Sequence, residues 1–285
     1  MTALNECLVQ HTLQCMEIWG GSHDAENAVS TPGLDLWIYS RPFERATAGG
    51  DVHYVSLCGG GIITRFILAD VAGHGTDVAD LARELRSLMR QNINRKSHSR
   101  LVKELNGQFA ALGRAGRFAT AIVATYLTSN RRLTICNAGH PPPLYFCAKA
   151  GEWSIASGAD ETASTGAANL PLGIDGEAGY DENEIPLERG DCLLFYTDGL
   201  VEAADRNGAL LGETGLLEMV RRLKQPAAEQ IPRALIEALD RFRGGCDPED
   251  DLTFLLLRHT AGPRRRMSLR EKLNVYAKVF RLKRV

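Results

Sequence analysis

No window of this chain approaches the roughly 18 consecutive apolar residues that a membrane-spanning helix needs. The segment Met1 to Ile18 lacks a basic start, contains Glu6 and Glu17, and sustains no apolar run of leader length, which argues against a secretory signal and for the cytoplasm. Paired cysteines are missing too. The seven that exist, Cys7, Cys15, Cys58, Cys136, Cys147, Cys192 and Cys246, are odd in number and form no CxxC pair. Several lie inside apolar runs such as Cys192-Leu193-Leu194-Phe195, as reduced, buried thiols do. There is no Walker-type loop, because Gly59-Gly60-Gly61 has no lysine after it. There is no Cys-x5-Arg loop either: Cys7, Cys58, Cys136, Cys147, Cys192 and Cys246 all lack an arginine six positions on.

What remains is an ordinary globular composition, 44% hydrophobic, 7% aromatic and 24% charged over 285 residues, which favours one large folded domain over two small ones. Charge is unevenly spread. Arg264 to Arg284 holds six Arg and three Lys against the single Glu271, so a net charge of −2 leaves the rest of the chain near −10. A mildly acidic body excludes general nucleic-acid binding, which needs a broad basic surface.

Along the chain, Asn5 to Trp19 reads as a short helix and Gly20 to Gly33 as a loop. Strands are expected from Leu34 to Tyr39, and as a hairpin of Val52 to Leu57 with Ile62 to Ala69, stopping at Asp70. Val78, Leu81, Ala82, Leu85, Leu88 and Met89 then share one face of a helix with Thr76 or Asp77 as its cap. A second helix carries Leu101, Leu105, Phe109 and Leu112 and ends at Gly113. Strands follow at Phe118 to Leu127, Leu133 to Asn137 and Leu144 to Cys147, and a loop poor in large apolar groups from Ala156 to Asn169. Strands recur at Glu182 to Leu187 and Cys192 to Tyr196, then helices at Leu216 to Lys224 and Ala227 to Phe242, and a last strand at Thr253 to Arg258. Runs of strands with paired helices imply an α+β fold of antiparallel sheets flanked by helix pairs. The expected division is an N-terminal helix and loop over residues 1–33, a central domain over 34–260 and a basic amphipathic helix over 261–285.

Four aspartates stand at strand ends beside glycine or a short turn: Asp51 after Gly49-Gly50, Asp70 before Val71-Ala72-Gly73-His74-Gly75, Asp198 before Gly199, and Asp250 before Asp251-Leu252-Thr253. One Asp-Gly pair alone is a turn. Four at the ends of apolar strands are a donor set for hard cations, since converging carboxylates repel unless a metal neutralises them.

These segments, together with Asn137-Ala138-Gly139-His140-Pro141, Leu170-Pro171-Leu172-Gly173 and Tyr196-Thr197-Asp198-Gly199-Leu200-Val201-Glu202-Ala203, resemble the metal-dependent protein phosphatase superfamily of type 2C fold, and within it the bacterial stage II sporulation protein E group. The match runs from roughly Leu34 to Arg258 in the same order. The resemblance implies a central antiparallel β-sandwich with helices outside. It implies two Mn²⁺ or Mg²⁺ ions, with Asp70 bridging them, the Val71 carbonyl touching one, Asp198 and Asp250 holding the other, and Asp51 coordinating directly or through water. It also implies hydrolysis of phosphoserine or phosphothreonine by a metal-activated water, with no covalent phosphoenzyme, on a small regulator of the anti-anti-sigma type in partner switching.

Several positions depart from the superfamily or are left open by it. His74 lies four residues beyond Asp70 and is not assigned as general acid; it orients the glycine turn or serves the site. His140, before Pro141-Pro142-Pro143, reads as a rigid turn, and Asp251 as a supporting residue. Arg45, Arg65 and Arg117 are unranked candidates for the substrate phosphate. Only about 33 residues precede the first expected strand, too few for a sensor domain, so control would come from a partner or from self-assembly. The tail places Leu269, Leu273, Tyr276 and Phe280 on one stripe opposite Arg270, Asn274, Lys278 and Arg281, for docking on the acidic body, a second subunit, a partner or a membrane surface. Two rival readings are a catalytically silent module of the same fold that binds a regulator, and a metal-dependent nucleotide hydrolase.

Overall fold

The computed structural model describes residues 9–12, 18–58, 61–73, 76–92, 97–112, 116–156, 168–223 and 227–262. Two sheets face each other. The seven-stranded sheet runs in the order β1 (Val9–Thr12), β3 (Ala25–Thr31), β4 (Leu34–Arg41), β13 (Leu252–His259), β12 (Cys192–Tyr196), β9 (Leu144–Cys147), β10 (Glu152–Ile155). The six-stranded sheet runs β11 (Glu182–Pro186), β8 (Arg132–Ala138), β7 (Ala119–Leu127), β6 (Ile63–Val71), β5 (Val52–Cys58), β2 (Ile18–Gly21). Every neighbouring pair is antiparallel except β1 with β3. Helices α1 (Thr76–Asn92) and α2 (His98–Ala110) cover the six-stranded sheet, and α3 (Gly212–Arg222) and α4 (Ile231–Arg243) cover the other. The fold is the α+β sandwich with outer helix pairs that the sequence implies.

The apolar runs are long because each central strand is buried on both faces. In β6, Phe66 and Leu68 point between the sheets, where they meet Leu193, Phe195, Leu255 and Leu257 from β12 and β13. Phe66 and Phe195 touch edge to face across the gap, ring centres 4.9 Å apart. The alternate residues Ile67, Ala69 and Val71 pack under Leu81, Leu85, Leu105 and Phe109 of α1 and α2. On the opposite side Leu194, Tyr196, Phe254 and Leu256 meet Leu216, Val220, Leu235 and Leu239 of α3 and α4. Because side chains alternate along a strand, a one-residue slip would exchange these two faces, and the register is correspondingly fixed. The last strand in sequence, β13, occupies the middle of its sheet between β4 and β12.

The N-terminal region differs from expectation. Within the segment expected to be a helix from Asn5 to Trp19, the described residues form strands β1 and β2, and the expected Gly20 to Gly33 loop contains β3. Pairing decides this: β1 hydrogen-bonds to β3, β3 to β4 and β2 to β5, and such partners outweigh local helical spacing. The short edge strand β10 goes unread in the sequence. The loop over 157–167 and the basic tail from 263 onward lie outside the described residues, so the expected tail helix does as well.

The start of α2 is tied to the far sheet edge. Ser97 caps the helix by accepting the Arg100 N–H at 3.3 Å and donates its own hydroxyl to Glu182 at 2.9 Å, while the Ser99 N–H reaches the same carboxylate at 2.8 Å. Burial alone would raise the Glu182 pKa, but these bonds and His98 outweigh it and hold the carboxyl down at about 2. Its stabilisation is therefore complete above the ordinary carboxylate range and is lost as pH falls toward 2. Glu182→Gln should cost about 1 kcal/mol at neutral pH. In thermal melts it should also lose less stability than wild type between pH 5 and pH 3.

Candidate metal centre

The strand ends explain where the aspartates go. Asp51 immediately precedes β5 and Asp70 is the last residue but one of β6; with Val52 opposite Ala69, the two stand side by side at one end of the six-stranded sheet. Asp198 lies two residues beyond β12 and Asp250 two before β13; with Tyr196 opposite Phe254, both leave the same end of the seven-stranded sheet. Two carboxylates thus come from each sheet.

Two side chains lock the sheet ends together. Thr197 donates its hydroxyl to Asp51 Oδ2 at 2.8 Å, and its backbone N–H reaches Thr253 O at 2.9 Å. Asp251 accepts three backbone N–H groups, from Phe43 at 2.6 Å, Gly50 at 2.5 Å and Asp51 at 3.2 Å. The glycines make this closeness possible. A Cβ on Gly49 would strike the Asp251 carboxylate, one on Gly199 the Asp251 carbonyl, and one on Gly50 would come within 2.9 Å of the Val71 carbonyl oxygen.

Burial pushes the Asp70 carboxyl up to about 8, with Asp198, Asp250, Asp251 and Glu202 adding to the rise. Asp198 is raised to about 6 by burial, then Asp250 and Glu202, against the opposing Gly199 N–H. Asp51, 3% exposed, is raised well above its ordinary value by burial, then by Asp70 and Asp251, and the Thr253 and Thr197 hydrogen bonds offset only part of this. Among the described residues no three His, Cys, Asp or Glu side chains already close around one point tightly enough to hold an ion. Asp51 is turned to Thr197, and Asp250 Oδ1 accepts the Asp251 N–H at 2.7 Å. The set nevertheless suits a hard cation. All its donors are oxygens, and their mutual repulsion is what a divalent ion would relieve.

Other expected residues are placed as follows. Val71 ends β6 beside Asp70, and its N–H reaches Gly50 O at 3.3 Å. His74 lies outside the described residues. His140 is buried and held as a turn by Asn137, whose side chain bonds both its N–H and its carbonyl at 2.8 Å, while Nδ1 meets Thr120. Burial lowers its pKa to about 3, so it is neutral at physiological pH. Arg65 is buried within β6 with Nε on Thr125 at 2.8 Å, away from the aspartate edge. The Arg45 side chain is outside the description, whereas Arg117 borders the loop after Asp70. Glu202, whose charge reaches both Asp70 and Asp198, was not singled out by sequence reasoning; its N–H bond to Asp198 O at 2.8 Å follows from the tight turn after β12.

Two face-to-face sheets, antiparallel apart from the β1–β3 edge pair, with a helix pair outside each and aspartates gathered at one end of the seam, define the fold of the type 2C phosphatases. The chain belongs to the stage II sporulation protein E (SpoIIE) family, whose model matches residues 63–260. It is similar to the phosphoserine phosphatase RsbU of Bacillus subtilis (strain 168), 25% identical over 192 residues that cover 67% of this chain and 54% of RsbU. The chain spans about half the length of the curated relatives it matches. Among solved structures, the RsbU and RsbW domains of Rv1364c from Mycobacterium tuberculosis align with a TM-score of 0.66 at 25% identity, covering 82% of this chain and 62% of that one. The catalytic domain of the serine/threonine protein phosphatase PstP, solved with two manganese ions, shares the fold with a TM-score of 0.53 at 17% identity, covering 80% and 98% of the two chains.

Proposed function

We propose that this chain is a metal-dependent protein serine/threonine phosphatase, acting on phosphoserine or phosphothreonine of a small regulatory protein of the partner-switching kind. The observation that carries this is the meeting of Asp51, Asp70, Asp198 and Asp250 from two sheets at one edge, each sheet contributing two. Asp70 with the Val71 carbonyl, and Asp198 with Asp250, would hold two Mn²⁺ or Mg²⁺ ions, with Asp51 joining directly or through water. When bound, the ions supply positive charge toward the phosphate oxygens and lower the pKa of water at the site. Thr197 fixes the direction of Asp51 by donating to it, and Asp251 sets the turn that carries Asp51, so neither needs to touch substrate. The similarity to a phosphoserine phosphatase supports the substrate class. A silent binding module would be marked by loss of a carboxylate, and all four are in place.

Buried Cys136 and Cys192, both free thiols, fit the reducing cytoplasm, where we place the protein. No helix among the described residues is long and apolar enough to cross a membrane.

Wild type should release phosphate from an aryl phosphate and from a phosphoserine peptide only with Mn²⁺ or Mg²⁺ present, and Asp198→Asn should abolish both activities. A wild type that neither binds Mn²⁺ in calorimetry nor releases phosphate would refute the reading.

A further inference from the structure

We propose that the cavity beside Asp250 is a subsite for an acidic side chain of the phosphoprotein, one that flanks the phosphorylated residue, and that Arg243 at its floor pairs with it; the inference rests on the phosphatase reading and deepens it. The cavity, of about 620 Å³, lies between the end of β4, the last turn of α4 and the 245–250 turn that leads into β13. Asp250 and Leu252 form one wall, so it is continuous with the aspartate edge, and its size is that of a ligand site.

Arg243 stands where an apolar residue is expected. The buried stripe of α4 is Ile231, Leu235, Leu239 and Arg243, each four residues after the last, and Arg243 is only 6% exposed. A cation near a helix C-terminus suits the dipole, but exposed Arg241 in the same turn already supplies that. Burial lowers the Arg243 pKa; Asp240 and Tyr39 oppose the fall and Arg41 adds to it. Among the described residues no carboxylate pairs with it, Asp240 included. The hydroxyl of Tyr39, which lines the same cavity, is buried and has no hydrogen-bond partner among the described residues.

The other charges sit at the mouth. Glu44, Asp240 and Asp247 are exposed, as is Arg41, whose Cζ lies 5.1 Å from the centre of the Tyr39 ring. Water and salt screen such rim charges, whereas the buried guanidinium sets the field at the floor, and the ions would take up the charge of Asp250. Phe43, Ile236 and Leu252 supply an apolar surround for the stem of an entering side chain. A carboxylate that reached the floor would meet a planar fork of N–H donors able to hold it by two parallel bonds, and would give the buried cation its counter-charge.

The test uses phosphoserine peptides of neutral sequence in which a single Glu, Gln or Lys is placed in turn at each of the three positions before and after the phosphoserine. Mn²⁺-loaded wild type, Arg243→Lys and Arg243→Met are compared by kcat and KM once their melting temperatures are known. Methionine keeps a long stem and suits the apolar stripe. At one position wild type should favour Glu over Gln by roughly tenfold or more, carried by KM, because a charged hydrogen bond is gained. Arg243→Met should bring that ratio near one, and Arg243→Lys should keep part of it. A merely structural role would slow turnover of the paired peptides alike and leave the ratio unchanged. If wild type hydrolyses an aryl phosphate yet favours Glu at no position, or if Arg243→Met keeps the preference, the subsite is overturned and the phosphatase stands. Should Arg243→Met not fold, a lowered ratio in Arg243→Lys supports the subsite and an unchanged one overturns it. If wild type with Mn²⁺ hydrolyses neither aryl phosphate nor peptide, both readings fall.

Discussion

Asp70→Asn should lose metal-dependent hydrolysis by at least about a hundredfold and, without metal, should melt higher than wild type. The first effect follows from removing a carboxylate proposed to hold the ions, whose charge is worth several kcal/mol at the transition state, where about 1.36 kcal/mol is a factor of ten. The second follows from the sign of the acidity shift. Burial, then Asp198, Asp250, Asp251 and Glu202, raises the Asp70 carboxyl from 3.8 to about 8, so the folded protein binds this proton more tightly than the unfolded chain does. Stability contributed by that proton is complete below the unfolded value and is lost as pH rises through the folded one. The neutral amide carries no such penalty, so the gap between variant and metal-free wild type should open from about pH 4 to about pH 8. Saturating Mn²⁺ should reverse the order, since a ligand at about 100 times its Kd adds about 2.7 kcal/mol to the protein that binds it. Melting both proteins at pH 8 with and without Mn²⁺ checks this. An equal Mn²⁺-induced rise in the two would remove Asp70 from the centre.

Asp251→Ala should be the most destabilising single change at this edge. Its carboxylate is the acceptor for the N–H groups of Phe43, Gly50 and Asp51, and deleting it leaves three donors without that partner, each costing about 1–3 kcal/mol where water cannot replace it. A loss of at least about 3 kcal/mol corresponds to roughly 6–12 °C for a protein near this size. Because the same carboxylate holds the Gly49-Gly50-Asp51 turn, Mn²⁺ affinity should fall along with stability. Asp251→Asn keeps one oxygen acceptor and should lie between. Denaturant and thermal melts decide it: a change of less than a degree for Asp251→Ala would mean that the turn is held by something else.

Much of the sandwich was readable because β5, β6, β7, β12 and β13 are buried on both sides and carry near-continuous apolar runs. The helices were readable because each repeats its apolar residues at helical spacing. The edge strands were not. Val9–Thr12, Ile18–Gly21 and Ala25–Thr31 contain His, Gly, Asn, Ser and Thr, and they are strands because β3, β4 and β5 offer them backbone partners, which no local pattern records. At the candidate centre, each aspartate flanks or ends an apolar run, so its position at a strand end was legible. How the positions combine was not: it depends on which strands pair and on the Thr197 to Asp51 bond between sheets. The glycines were visible as turn residues, but their other service, admitting the Asp251 carboxylate, the Asp251 carbonyl and the Arg117 guanidinium, requires the folded neighbours.

The central position of β13 bears on how the protein is made. On the ribosome, β4 and β12 emerge long before residues 252–259, and until those residues arrive the two halves of the seven-stranded sheet have no common strand between them. The nascent chain therefore exposes two unpaired inner edges at once, the kind of surface that recruits other chains. Asp250 enters with the same segment, so closing those edges and completing the acidic cluster are a single late event. A polypeptide stalled before it would carry the aspartates of one sheet, part of the second, and two open strands in want of a chaperone.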